Sequence, residues 1–330
     1  MYEFDWQKLS SPLPMDEGRE ATLQRFFEIM EAQRAVVLRN TPVQDYIDEA
    51  FSWVIMLDNR IITIFSHDSR PKHFFNSTTI RKRPFSTVQE ALPTGGIVPS
   101  GKKKAVERHS TTREESFDFG NDGDENRQRY WPPEESLPDF YTFMKWFFDA
   151  LYMFQMDILG LIEEHYHLTP GRLTSMHSQA QNELRLLHYP GLKTSVLQDP
   201  QKAVRFGEHT DFGTITVLFQ RPAGGLHFQS APSAGGDWIE VMSGPTDAIV
   251  TFGDTFERWT NGLVPAGRHR VQAPSEAGDW CQARYSIAYF CKADPEQSIG
   301  ALQEFRHGDQ PDEKTITVAE YNDNQQRIAY

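Results

Sequence analysis

The chain has 330 residues, of which 38% are hydrophobic and 24% charged, with a net charge of −13 at pH 7. That length supports a substantial core in one enlarged domain, and the acidic balance argues against nucleic-acid binding through phosphate neutralisation. The only two cysteines, Cys281 and Cys291, point to a reducing compartment rather than a disulfide scaffold.

In chain order, Met1–Trp6 carries neither a signal-peptide nor a transit-peptide pattern. Glu20 to Glu31 places Leu23, Phe26, Phe27 and Met30 at helical spacing. Ala35–Leu38 reads as a short strand ended by Asn40-Thr41-Pro42. Ala50 to Phe75 carries two β-branched apolar clusters and reads either as a divergent helix or as a segment that packs less well. Residues 76–112 are rich in Ser, Thr, Pro, Gly and basic side chains and read as a long loop; Ile80–Pro84 and Lys102–Lys104 within it are taken as solvated charge. Phe140 to His165 has the apolar period of a long helix, closed near Thr169-Pro170-Gly171. Glu163, Glu164 and Asp157 are expected on that helix's surface, and His165 and His167 as an exposed pair. From about residue 180 the pattern changes to short strands between turns at Ala223-Gly-Gly225, Ala234-Gly-Gly236, Ser243-Gly-Pro245 and Ala277-Gly278. That is an antiparallel jelly-roll signature. The chain therefore divides into a largely helical region over 1–175, a β core over 176–295, and a C-terminal segment over 296–330 expected to pack over the barrel. No apolar run approaches the roughly 20 residues that span a bilayer, so a soluble, cytoplasmic protein is expected.

Two separated stretches carry the chemistry. Gly207-Glu208-His209-Thr210-Asp211-Phe212-Gly213 places an imidazole and a carboxylate two residues apart, and Gly267-Arg268-His269 supplies a second imidazole. Residues i and i+2 of a strand share a face, so His209 and Asp211 can reach one ion, with His269 arriving from a distant strand. Two imidazoles and one carboxylate form the facial triad of non-haem Fe(II) oxygenases, which leaves positions open for co-substrate and O2. Downstream, Arg284-Tyr285-Ser286-Ile287-Ala288-Tyr289-Phe290 alternates so that Arg284, Ser286, Ala288 and Phe290 share a face. An arginine facing a barrel interior is costly unless it meets an anion, and its planar fork suits a carboxylate. No Walker loop, GxGxxG or GxSxG is present.

These residues resemble the isopenicillin N synthase-like superfamily of Fe(II)/2-oxoglutarate-dependent dioxygenases. The resemblance runs from about Phe4 to the C-terminus and is most specific between Asn182 and Cys291; Asn182–Pro190 is similar to fungal members, including thymine 7-hydroxylase-like enzymes. It implies a mainly β fold with flanking helices: a double-stranded β-helix, or jelly-roll, core with a largely helical N-terminal region. His209, Asp211 and His269 match the family's iron ligands, and Arg284 and Ser286 its RxS motif, which holds the far carboxylate of 2-oxoglutarate. Tyr189 matches the last Tyr of an Asn-Tyr-Tyr-Pro-like run near that co-substrate; Leu187 stands where the family has Asn, so one hydrogen bond of the common pattern is missing.

Alternation turns Arg185 inward beside Tyr189, with Phe212 after the iron carboxylate and Phe290 at the end of the Arg284 face. Two rings and a guanidinium suit a flat molecule carrying oxygen atoms. The alternative for Arg185 is a structural pair with Glu183 or Asp254. Phe117 and Phe119 resemble an aromatic segment that touches substrate in the family, with packing an equal alternative, and Asn182 is a further candidate. The implied activity is Fe(II)-, 2-oxoglutarate- and O2-dependent oxidation (hydroxylation, desaturation or rearrangement) of a small molecule. The favoured substrate is a planar intermediate of a fungal-type secondary-metabolite pathway. The alternatives are a pyrimidine such as thymine, a 2-oxoglutarate-independent oxidase, and a small-molecule binding protein on the same fold. Neither a nucleic-acid nor a membrane partner is expected, and the sequence leaves the oligomeric state open.

Overall fold

Alternation along Arg284–Cys291 organises the molecule, because this strand lies within a large sheet and presents a different environment to each face. The computed structural model describes residues 2–10, 17–66, 96–98, 111–112, 114–121, 131–197, 203–306 and 316–329. Most of the 76–112 stretch, with both basic clusters, lies outside the described residues.

The large sheet runs in the order Glu3–Asp5, Ala35–Arg39, Ala248–Phe252, Ile215–Gln220, Arg284–Cys291, Glu183–Tyr189, Glu115–Gly120, Gly96–Val98. Only the Glu3–Asp5 pairing is parallel; the others are antiparallel. A second sheet runs Trp238–Glu240, Leu226–Gln229, His269–Val271, Phe206–His209. Leu187, Tyr189, Ile249 and Ala288 of the first sheet form one buried cluster with Leu226, Phe228 and Val271 of the second. The two sheets thus face each other as a jelly roll, which is the expected fold class.

Strand register decides which side chains enter the barrel. Tyr189 lies opposite Arg284, Leu187 opposite Ser286 and Arg185 opposite Ala288. Gln220 lies opposite Ser286 and Thr216 opposite Phe290. Residues directly opposite share a face, so this set lines the interior.

The other face of the large sheet carries the main core. Leu184, Leu186, Ile287 and Tyr289 pack there against Phe147, Phe148, Leu151 and Phe154 of the helix Phe140–His165. Apolar residues recur three and four apart along that helix, so one stripe is buried. The helix Glu17–Gln33 adds Leu23, Phe26, Phe27 and Met30 to the same core.

Two details depart from the sequence expectations, and a third decides between the two readings of the Ala50 segment in favour of a helix. Glu163 is buried rather than on the surface, because its carboxylate accepts from the backbone N–H groups of Gly171, Leu173 and Thr174 at 2.7–2.9 Å. His165 is half-buried and stacks on Phe27 at 4.1 Å between centroids, leaving His167 alone exposed. Ile47–Ser66 is a helix, and Ile47, Ala50, Phe51, Val54 and Leu57 form its buried stripe. At its C-terminal end the chain forms a helix over Val318–Ala329, whose Tyr321 hydroxyl donates to Asp254 at 2.9 Å.

Candidate metal and co-substrate site

Three potential ligands converge at the end of the barrel. The strand Phe206–His209 ends on His209, which pairs directly across from His269. Asp211 follows just beyond the strand end. His209 Nε2 and His269 Nε2 lie 3.7 and 3.8 Å from Asp211 Oδ1, and the three ligand atoms fall within 4.8 Å of one another. Phe206 meets His209 edge-on at 4.4 Å and Phe228 stacks on His269 at 4.9 Å, so both rings are wedged in place.

The outer contacts orient each ligand. His209 Nδ1 bonds the Gly207 carbonyl and His269 Nδ1 the Gly267 carbonyl, each at 2.9 Å. A carbonyl can only accept, so both Nδ1 atoms carry a proton and each Nε2 is the atom turned toward Asp211. Burial, reinforced by His269, holds the His209 pKa below its usual range and keeps the imidazole neutral, as a metal ligand must be. Thr216 donates to Asp211 Oδ2 at 2.7 Å, which fixes the carboxylate with Oδ1 toward the imidazoles. Gly267 has no room for a side chain: a Cβ would strike Thr251 Oγ1 and the Arg34 carbonyl.

Further along the same interior face lies Arg284, 1% exposed. It donates to Ser286 Oγ at 2.9 Å and to Gln220 Oε1 at 2.8 Å, with its guanidinium 5.1 Å from the Tyr189 ring. Its Nε has no acceptor, and no carboxylate bonds it among the described residues. Burial lowers its pKa, the expected sign for a buried cation without a counter-ion. Such a group calls for an incoming anion. A two-imidazole, one-carboxylate set beside a buried guanidinium fits Fe(II) together with a carboxylate-bearing chelator.

Residues 176–293 match the family model described as the 2OG-Fe(II) oxygenase superfamily. A 2-oxoglutarate-dependent dioxygenase from an Acremonium species is 33% identical over 78% of this chain and 83% of that protein. The chain belongs to the 2OG-Fe(II) oxygenase superfamily. A 2-oxoglutarate-Fe(II) type oxidoreductase from Metarhizium majus is 36% identical to this oxygenase over 66% of the chain, a match spanning 62% of that relative's length. Thymine 7-hydroxylase from Neurospora crassa, solved with 2-oxoglutarate, shares the fold, with a TM-score of 0.82 and 24% identity over 99% of this chain and 96% of that one. The family's metal and co-substrate are Fe(II) and 2-oxoglutarate.

The remaining candidate residues of this oxygenase separate by face. Arg185 lies inside the barrel, close enough to His209 for their charges to oppose. It also forms ion pairs: two bonds to Asp118 at 2.8 Å and one to Glu183 at 2.9 Å, with its guanidinium 5.2 Å over Phe290. Of the two structural partners considered from sequence, Glu183 is present and Asp254 is not. Phe212 and Phe290 are half-buried. Phe117 and Phe119 face the other way: they lie opposite Leu186 and Leu184 and pack on Trp131, Phe140 and Phe148 in the helix-side core. This placement corrects the substrate-contact expectation for both, because the register turns Ser116 and Asp118 inward instead. Asn182 is also outside the site, donating to the Tyr289 hydroxyl and accepting from Lys292 N, each at 2.8 Å.

Sequence reasoning missed Thr216, Gln220 and Arg205. Alternation along Ile215–Gln220 carries the signal for the first two, once its register against Ser286 is known. Arg205 precedes the His209 strand and bears no motif.

Proposed function

We propose that this protein is an Fe(II)- and 2-oxoglutarate-dependent dioxygenase that oxidises a small planar, oxygen-bearing molecule of fungal-type secondary metabolism. The observation that carries the co-substrate assignment is the buried Arg284, with an acceptor-free Nε on the same barrel interior as the triad. In this reading His209, Asp211 and His269 hold the metal through Nε2, Oδ1 and Nε2. Arg284 and Ser286 take the far carboxylate of 2-oxoglutarate, and Tyr189 walls it in. The bound metal, with 2-oxoglutarate and O2, supplies the oxidation of a substrate C–H bond, coupled to decarboxylation of the co-substrate to succinate. The protein orients the target bond and keeps water out: Phe228, Val271 and Leu226 line the interior with apolar surface.

Phe212 and Phe290 supply rings for a flat substrate. The Arg185–Asp118–Glu183 network offers donors and acceptors together, which suits a molecule bearing both. The many fungal 2-oxoglutarate-dependent dioxygenases among the relatives support the metabolic setting. Two buried thiols without a disulfide support a cytosolic location, and no helix among the described residues is long and apolar enough to cross a membrane.

Anaerobic titration with Fe(II) and then 2-oxoglutarate tests the assignment through the visible metal-to-ligand charge-transfer band. The band is expected only with both, and is expected to vanish in His209→Ala and Asp211→Ala. Arg284→Ala should weaken 2-oxoglutarate by about 10- to 100-fold, the loss of charged hydrogen bonds worth about 1.5–3 kcal/mol. Tight Fe(II) binding without a band would favour the 2-oxoglutarate-independent oxidase, and no Fe(II) binding the non-catalytic binder.

A further inference from the structure

Arg205 is fully buried, 0% exposed, one residue before the strand that carries His209. One of its terminal nitrogens, Nη2, donates to the Gln282 carbonyl. Its Nε and Nη1 have no acceptor, and none of the described carboxylates pairs with it. Burial lowers its pKa, and its charge is felt by both Tyr189 and Arg284. Glu114, a buried carboxylate in this part of the molecule, acts on Tyr189.

Gln282, whose carbonyl takes the Arg205 bond, lies two residues before Arg284, whose guanidinium is 5.1 Å from the Tyr189 ring; the two arginines together carry three acceptor-free nitrogens, Arg284 Nε and Arg205 Nε and Nη1. Burial raises the Tyr189 pKa, so the phenol stays protonated and adds a donor rather than a counter-charge. Two buried cations that repel each other, beside a neutral donor, are costly without an anion between them. An entering carboxylate relieves both the repulsion and the unmet donors.

We propose that Arg205 is a second guanidinium of the subsite for the far carboxylate of 2-oxoglutarate, acting with Arg284, Ser286 and Tyr189. This rests on the co-substrate reading above. Arg205 belongs to that subsite and not to the metal centre, so its contribution depends on the ligand's far end and is indifferent to the chelating end.

Anaerobic calorimetry on the Fe(II)-loaded protein separates the two ends by comparing 2-oxoglutarate with oxalate, which chelates the metal but has no far carboxylate. Arg205→Met should weaken 2-oxoglutarate at least tenfold and leave oxalate within twofold of wild type. Affinity for 2-oxoglutarate within threefold of wild type, or an equal loss for both ligands, overturns the proposal; the second outcome would make Arg205 a support of the fold through Gln282. Should Arg205→Met not fold, Arg205→Lys decides, because a lysine keeps the charge without the fork: a selective loss of threefold or more for 2-oxoglutarate supports the subsite, and no selective loss overturns it. Arg284→Met is the separate control. If it spares 2-oxoglutarate, the co-substrate reading itself fails, whatever Arg205 does.

Discussion

Gly207 and Gly267 stand two residues before His209 and His269, and each uses its carbonyl to fix the imidazole that follows. At Gly267 packing also demands the missing side chain, since Thr251 Oγ1 and the Arg34 carbonyl occupy the space. Gly267→Ala is therefore expected to displace His269 and lower Fe(II) affinity by about 10- to 100-fold, the usual effect of disturbing a ligand's outer support, with far-UV circular dichroism unchanged. Fe(II) affinity equal to wild type would show that the loop absorbs the methyl group. At this scale the convergence of the three candidate metal ligands and the burial of Arg284 were legible in the sequence, because each is a costly residue type whose spacing makes sense around an ion or an anion. Phe117, Phe119 and Asn182 were not. Alternation says that Phe117 and Phe119 share a face, but not which face, and that choice is made by the register against Glu183–Tyr189.

Between elements, the helix Ile47–Ser66 is tied to the sheet by a small charged cluster. His188 Nδ1 lies 2.8 Å from Asp58 and 2.9 Å from Glu115, while the ring stacks on Tyr285 at 4.6 Å. Tyr285 in turn donates to Asp58 at 3.1 Å. Burial works against charge on His188, but the bonds to Asp58 and Glu115 outweigh it and raise its pKa to about 9. A raised pKa means that the folded state holds the proton more tightly than the unfolded chain. The stabilisation is thus complete below the ordinary histidine range, near 6.5, and is lost as pH rises through about 9. The melting temperature of the wild type should fall between pH 7 and pH 9.5, and His188→Gln should flatten that fall while starting lower by roughly 1–3 kcal/mol. Parallel pH profiles for the two proteins would dismiss the cluster as a stabilising tie. The helix itself was only half legible: its β-branched clusters disfavour helix locally, and burial of one stripe against the core overrides that preference.

In the whole molecule, the jelly roll was legible from its turns, while the long-range pairings were not. Glu3–Asp5 adds to Ala35–Arg39, which then joins Ala248–Phe252; nothing local in the chain specifies so distant a partner. The C-terminal helix is likewise joined to the metal loop by contacts far apart in sequence. Tyr321 donates to the Asp254 carboxylate, and the Asp254 N–H bonds the Asp211 carbonyl at 2.8 Å. Tyr321→Phe should lower the unfolding free energy by about 1–3 kcal/mol, because the half-buried Asp254 carboxylate loses a donor. An unchanged denaturant midpoint would mean that this bond does not anchor the helix.

The large sheet holds its stabilising core on one face and the site on the other, and the two make different demands on inheritance. Residues against the helices answer to folding, where a change of one methylene is felt. Arg185, Phe290 and their neighbours, as the proposed substrate contacts, answer to whatever molecule enters the barrel. A lineage can therefore alter the oxidised compound by exchanging side chains at every second position of a strand, while the alternate positions go on specifying the same architecture.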